Sequence, residues 1–136
     1  MASYSIAEIR AISPFYAAKL KAAGIRSTSK LLVRASTPKL RKDLAKTTNI
    51  PMKLILEWAN IADLTRVPGV ALDYAVLLVA ADVDTVPDLK RRNAGKLVAR
   101  MVAINETRKL VDLLPSEKRV ARWIEAAKSL ESSMDY

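Results

Sequence analysis

The sequence predicts an all-α fold in which two tandem, duplicated helical units pack as one compact helical domain, and three observations lead there. Apolar residues make up 51% of the 136-residue chain but aromatics only 5%, so the core has to be built from Ala, Leu, Val and Ile. With Lys and Arg these form a helix-favouring alphabet, and only three glycines interrupt it. Finally, a pattern of apolar residues around one tyrosine returns after 58 positions. A chain of this length can bury a real core if the two copies pack together.

The recurrence runs without a gap over its best part. Ile9 falls on Val67, Ile12 on Val70, Tyr16 on Tyr74, Leu20 on Leu78, Ile25 on Val83 and Ser27 on Thr85. Extra residues around Thr107 to Leu114 are then needed before Trp58 meets Trp123. The sequence therefore divides into a first unit, 1–64, with a degenerate hairpin, and a second unit, 65–136, whose tail from Ser132 is expected to fray.

In chain order, Ser5 and Glu8 have the spacing of a capping box and start a short helix. Ser13-Pro14 pairs a cap with a proline where no N–H is needed, opening a helix that stops at Gly24. Ser27 or Thr28 caps the next, with Leu31 and Leu32 inward and Lys30 and Arg34 outward, four apart on one face. Thr37-Pro38 starts another, with Leu40 and Leu44 as its buried edge and Lys39, Lys42 and Lys46, joined by Arg41, on the wet side. After Pro51 a longer helix runs through Trp58 and Ile61 to about Thr65. Pro115-Ser116 opens the final helix.

Charge points to a partner. The formal net charge is +9, and it is uneven: residues 1–64 hold 11 Lys/Arg against 4 Asp/Glu, a net of +7, whereas 65–136 hold 12 against 10. A polyanion should lean on the first half, where Arg26, Lys30, Arg34, Lys39, Arg41, Lys42 and Lys46 are the candidate contacts. The competing reading of the lysine row is an ordinary solvated helix face. With no His and no Cys, imidazole and thiolate chemistry are excluded, and no Lys has a setting for Schiff-base chemistry, so no enzyme activity is expected. Asp82, Asp84 and Asp88 cluster without further ligands, so neither a metal nor another cofactor is expected. Tyr16/Tyr74 and Trp58/Trp123 could stack on bases, but their recurrence on apolar faces makes them core anchors instead. The start of the chain lacks a secretion pattern and the longest apolar run, Ala75 to Ala81, is too short to span a bilayer; a soluble cytoplasmic protein is expected.

Val67-Pro68-Gly69-Val70-Ala71 resembles the hairpin of the helix-hairpin-helix superfamily. The whole chain is also similar to the domain-of-unknown-function family 4332. That resemblance rests on Ala23-Gly24-Ile25-Arg26-Ser27, on the stretch Asn60 to Val70 and on Leu114-Pro115-Ser116. The superfamily resemblance implies that backbone N–H groups of Gly69, Val70 and Ala71, at the start of a helix, face a phosphate with Arg66 as the nearest cation. Asp73 occupies the position expected to hold a cation, and Ala11 replaces the glycine in the first copy, so the first hairpin is expected to be reshaped. For Gly69 the competing reading is a tight packing turn with no ligand.

Two functions follow as expectations. One is a non-catalytic module that binds nucleic acid through its phosphate backbone without reading sequence. The alternative is a protein-interaction or scaffold domain whose phosphate sites have decayed. Nucleic acid and protein are thus the candidate partners; a membrane or a small-molecule substrate is not expected.

Overall fold

The computed structural model describes residues 3–136. Among them lie a short 3-10 helix, Ile6–Glu8, and eight α-helices. These are α1 (Pro14–Ala22), α2 (Thr28–Arg34), α3 (Pro38–Thr48), α4 (Met52–Leu64), α5 (Leu72–Ala80), α6 (Val86–Leu89), α7 (Ala94–Arg108) and α8 (Glu117–Ala127). The starts follow the local chemistry read from the sequence. Ser5 and Glu8 close a reciprocal capping box, and the hydroxyls of Ser13, Ser27, Thr37, Thr85 and Ser116 each accept a backbone N–H from the first turn that follows. None of the helices among the described residues is long and apolar enough to cross a membrane.

Helix α4 organises the packing. Its residues Trp58 to Leu64 are all buried, including Asn60 and Asp63, so the C-terminal half of the helix is enclosed on every side, while Met52, Lys53 and Glu57 in its first half are exposed. It packs against α2 and α3 on one flank and α5 on the other, while α8 packs against α6 and α7. A single apolar cluster runs from Ile6 to Met134 through both halves.

The segments 58 residues apart share their backbone bonds. Ile12 donates to Ile9 at 3.0 Å and Val70 to Val67 at 3.0 Å; Ile25 donates to Leu20 and Val83 to Leu78, both at 2.9 Å. Helices α1 and α5 have the same length, and each end is followed by a left-handed residue, Gly24 at φ 84° and Asp82 at φ 68°. Tyr16 lies 5.6 Å from Trp58 and Tyr74 lies 5.2 Å from Trp123, centroid to centroid. Both indoles are 1% exposed. Differences accumulate later, where α7 has 15 residues against 11 in α3.

Three expectations fail in the first half and at the tail. Leu40 is exposed, whereas Arg41, placed on the wet side by sequence, is 3% exposed. At 100° per residue Arg41, Leu44 and Thr48 form one stripe, and that stripe is the buried face of α3. The segment from Ser132, expected to fray, instead lies against the first half: Asp135 N–H donates to Ser36 O at 2.8 Å, and Met134 is buried.

Candidate polyanion interface

Lys39, Lys42 and Lys46 sit on the exposed side of α3, within an arc of about 60° and opposite the Arg41, Leu44, Thr48 stripe. Helix propensity and the Thr37-Pro38 start fix the rigid element that carries them. Asp43 is exposed beside the row, four residues from Lys39 and three from Lys46, but among the described residues no carboxylate oxygen comes within 4.0 Å of these lysines. Arg26 and Lys30 are also exposed and unpaired.

The ion pairs are elsewhere. Among the described residues the four are Arg66–Asp63, Arg92–Asp88, Arg100–Asp82 and Lys128–Glu125. Every cation in them belongs to residues 65–136, so among the described residues no Lys or Arg of the first half has a carboxylate within 4.0 Å.

The remaining candidates are engaged inside the fold. Arg34 turns back to donate to Ala23 O at 3.2 Å, at the end of α1, and is half-buried rather than projecting beside Lys30. Arg41 donates to Ala35 O at 2.8 Å and to Asp135 O at 2.7 Å, with its guanidinium over the Tyr136 ring. Arg66 donates to Asp63 Oδ1 at 2.7 Å and to Glu131 O at 2.8 Å. Asp63 is 1% exposed; burial pushes its carboxyl above the ordinary range, opposed by the hydrogen bond and charge of Arg66. The pair is therefore a structural one, covering the end of α4.

The Gly69 turn joins α4 to α5. Pro68 and Gly69, at φ 88°, supply what a type II turn needs at its two central positions. Ile9 to Ile12 closes with the same bond, yet Ala11 has no positive φ, so the first turn is reshaped as its sequence implied. Of the three expected phosphate donors, Val70 N–H is spent on Val67 O at 3.0 Å. The α face of Gly69 is covered: a Cβ there would lie 3.1 Å from Trp123 Nε1. Ala71 is exposed at the N-cap of α5 and has no side chain to cap it, unlike Ser13 at α1. The turn borders an open depression of about 360 Å³ lined by Tyr4 and residues 65–71. Asp73 is exposed in the first turn of α5 and opposes an anion there.

The structure thus assembles Lys39, Lys42 and Lys46 as one exposed row. It withdraws Arg34, Arg41 and Arg66 into internal bonds, and of the Gly69, Val70 and Ala71 N–H groups it engages that of Val70. What sequence reasoning missed is the cluster of Arg41, Asn60, Asp63 and Arg66 facing residues 131–136. The one signal for it was the position of Arg41 in the Leu44–Thr48 stripe.

No curated protein and no solved structure matches the chain. The sequence profile of a domain of unknown function, DUF4332, matches residues 10–130. That span covers both halves from the first turn to the end of α8, and the chain accordingly belongs to the DUF4332 family.

Proposed function

We propose that this domain is a non-catalytic module that binds nucleic acid through its phosphate backbone, using the α3 row Lys39, Lys42 and Lys46 with Arg26 and Lys30. The observation that supports it is the segregation of charge. Among the described residues no first-half cation has a carboxylate oxygen within 4.0 Å, while the four ion pairs all draw their cations from the second half. An ordinary surface intersperses both signs, and uncompensated lysines on one face of a helix attract phosphates. Contacts of this type position a backbone and read no bases. The likeness of the Gly69 turn to a helix-hairpin-helix turn, and the tandem origin of the halves, belong to the same proposal, as does a cytoplasmic setting. Because Val70 N–H is occupied and Asp73 lies close by, the proposal rests on the lysine row and not on the turn.

Titration of labelled duplex and single-stranded DNA at low and moderate salt tests it. Binding that weakens with salt and is lost in Lys39→Glu/Lys42→Glu/Lys46→Glu is expected; no binding even at low salt contradicts it. The second reading, a protein-interaction domain, is favoured by a separate observation. Three of the predicted phosphate-binding arginines are consumed by main-chain carbonyls of the chain itself.

A further inference from the structure

The fold buries or engages its aromatic side chains with one exception. Trp58 and Trp123 are enclosed, Tyr4, Tyr16 and Tyr74 pack against the core, and Tyr136 lies under Arg41 with its hydroxyl on Asn60. Phe15, the sole phenylalanine, is 65% exposed. Helix α1 turns Ala17 and Leu20 inward, and at about 100° per residue Phe15 falls on the far side. Its ring is nonetheless held in place: it makes a T-shaped contact with Tyr16 at 5.3 Å between centroids, and Tyr16 in turn rests on Trp58.

Nothing in the frame shared by the two halves requires that ring. The residue 58 positions after Phe15 is Asp73, which is also exposed, and the counterpart of Lys19 is the buried Leu77. In the first half a cation accompanies the ring, with Lys19 Nζ over it at 4.9 Å from the centroid. The same ammonium donates at 3.3 Å to the carbonyl of Thr48, which ends α3, and so covers an oxygen at the negative end of that helix. One group thus touches both the Phe15 ring and the end of α3 that carries Lys46 in its last turn. An exposed aromatic beside an uncompensated lysine row is the pairing that suits a single strand of nucleic acid, with phosphates on the cations and a base on the ring.

We propose that the nucleic acid held by the α3 row is single-stranded, and that Phe15 stacks one of its bases where the strand passes the end of α3. This rests on the phosphate-contact reading above and adds to it the state of the ligand. A duplex keeps its bases inside the helical stack and gains the lysine contacts only, whereas an unpaired base gains the ring as well. Every base has a π-face, so the added contact leaves the site tolerant of sequence. Lys19, already bonded to Thr48 O, serves as the ring's fixed cation rather than as a phosphate contact.

The test titrates the full chain, as wild type, Phe15→Leu and Phe15→Trp, against four labelled probes at low and moderate salt: short strands of thymidine and of uridine, a strand of abasic nucleotides, and a duplex. Phe15→Leu keeps the apolar bulk of an exposed side chain and removes the ring. It is expected to weaken whichever base-bearing strand the wild type binds by roughly tenfold, and to leave the abasic strand and the duplex at wild-type affinity. The salt slope should not change, because no cation is lost. Phe15→Trp, with a larger ring, is expected to bind the base-bearing strands at least as tightly as wild type. Where the wild type binds, undiminished affinity of Phe15→Leu for those strands, or an equal loss on the abasic strand, overturns the stacking while leaving the phosphate contacts standing. A wild type that binds none of the four probes at low salt overturns both.

Discussion

Residues 6–64 and 65–130 share backbone bonds from the first turn to the loop after α1 and α5, and beyond that loop they differ in helix lengths and in what their polar groups do. Ile9/Val67, Ile12/Val70, Leu20/Leu78 and Ile25/Val83 are buried in both. The helix end carbonyls of Ala23 and Ala81 are each covered by an arginine, Arg34 at 3.2 Å in one half and Arg100 at 2.9 Å in the other. Around this shared frame, among the described residues, the second half places four of its twelve cations in ion pairs, Arg92–Asp88 and Arg100–Asp82 among them, and the first half places none. The difference teaches that packing fixes the frame while surface charge is free to follow a partner. A backbone bond in the core is costly to leave unmade, whereas an exposed ion pair contributes at most about 1 kcal/mol.

The largest effects should come from the shared anchors. Trp58→Ala and Trp123→Ala are each expected to lose about 3–5 kcal/mol in denaturant unfolding, since each empties a fully buried site beside a tyrosine. A negligible loss at either tryptophan breaks the comparison, because the two halves would then not depend on matching anchors.

The glycines sharpen it. Gly24→Ala meets nothing within 4 Å, so it should cost only the left-handed backbone, about 1 kcal/mol. Gly69→Ala adds a contact with the Trp123 indole and should lower the unfolding midpoint further than Gly24→Ala does. Equal midpoints would show that Trp123 yields without cost.

Caps come next. Ser13→Ala should lose about 1 kcal/mol, and Ala71→Ser, which gives α5 the hydroxyl α1 already has, should recover a similar amount at the other turn. Thermal denaturation of the two variants measures both; stabilisation by Ser13→Ala would contradict the assignment.

The smallest effect concerns Asp63, a first-half carboxylate paired with Arg66 of the second half. Its folded-state carboxyl is raised by burial, so the folded chain holds that proton more tightly than the unfolded chain. Ionisation therefore works against the folded state: the cost is absent below the unfolded value of about 3.9 and fully present once pH exceeds the folded value. Wild type should lose stability relative to Asp63→Asn as pH rises through that window, then run parallel to it. A difference independent of pH from about 3 to 7 would remove burial as the cause.

Much of the frame was legible because local chemistry decides it. Ser5/Glu8, Ser13-Pro14 and Thr37-Pro38 each set a helix start by satisfying or removing an N–H, a decision made within four residues. The tyrosine–tryptophan pairs were legible through their recurrence. Arg41 was misread because its type suggests solvent while its spacing from Leu44 and Thr48 places it in the buried stripe. Leu40, one residue earlier, was misread the same way in reverse. Spacing should have outweighed residue type there. The docking of Met134 and Asp135 had no local signal, since it depends on Ser36 and Arg41, about a hundred positions away. For the candidate interface, the lysine row was legible from helical period. The withdrawal of Arg34 and Arg66 was not, because both are consumed by carbonyls that only the fold brings near.

Under the proposed function, position and not net charge alone makes the first half the polyanion face. The direct measurement is the slope of log affinity for duplex DNA against log salt in wild type and two charge-matched variants, Lys39→Glu/Lys42→Glu/Lys46→Glu and Arg91→Glu/Lys96→Glu/Arg122→Glu. All six cations are exposed and without an ion-pair partner among the described residues. The slope should fall in magnitude by about 0.9 for each contacting cation lost, hence by about 2.7 in the α3 variant, and stay near wild type in the other. Equal loss of slope and affinity in both variants would contradict the claim.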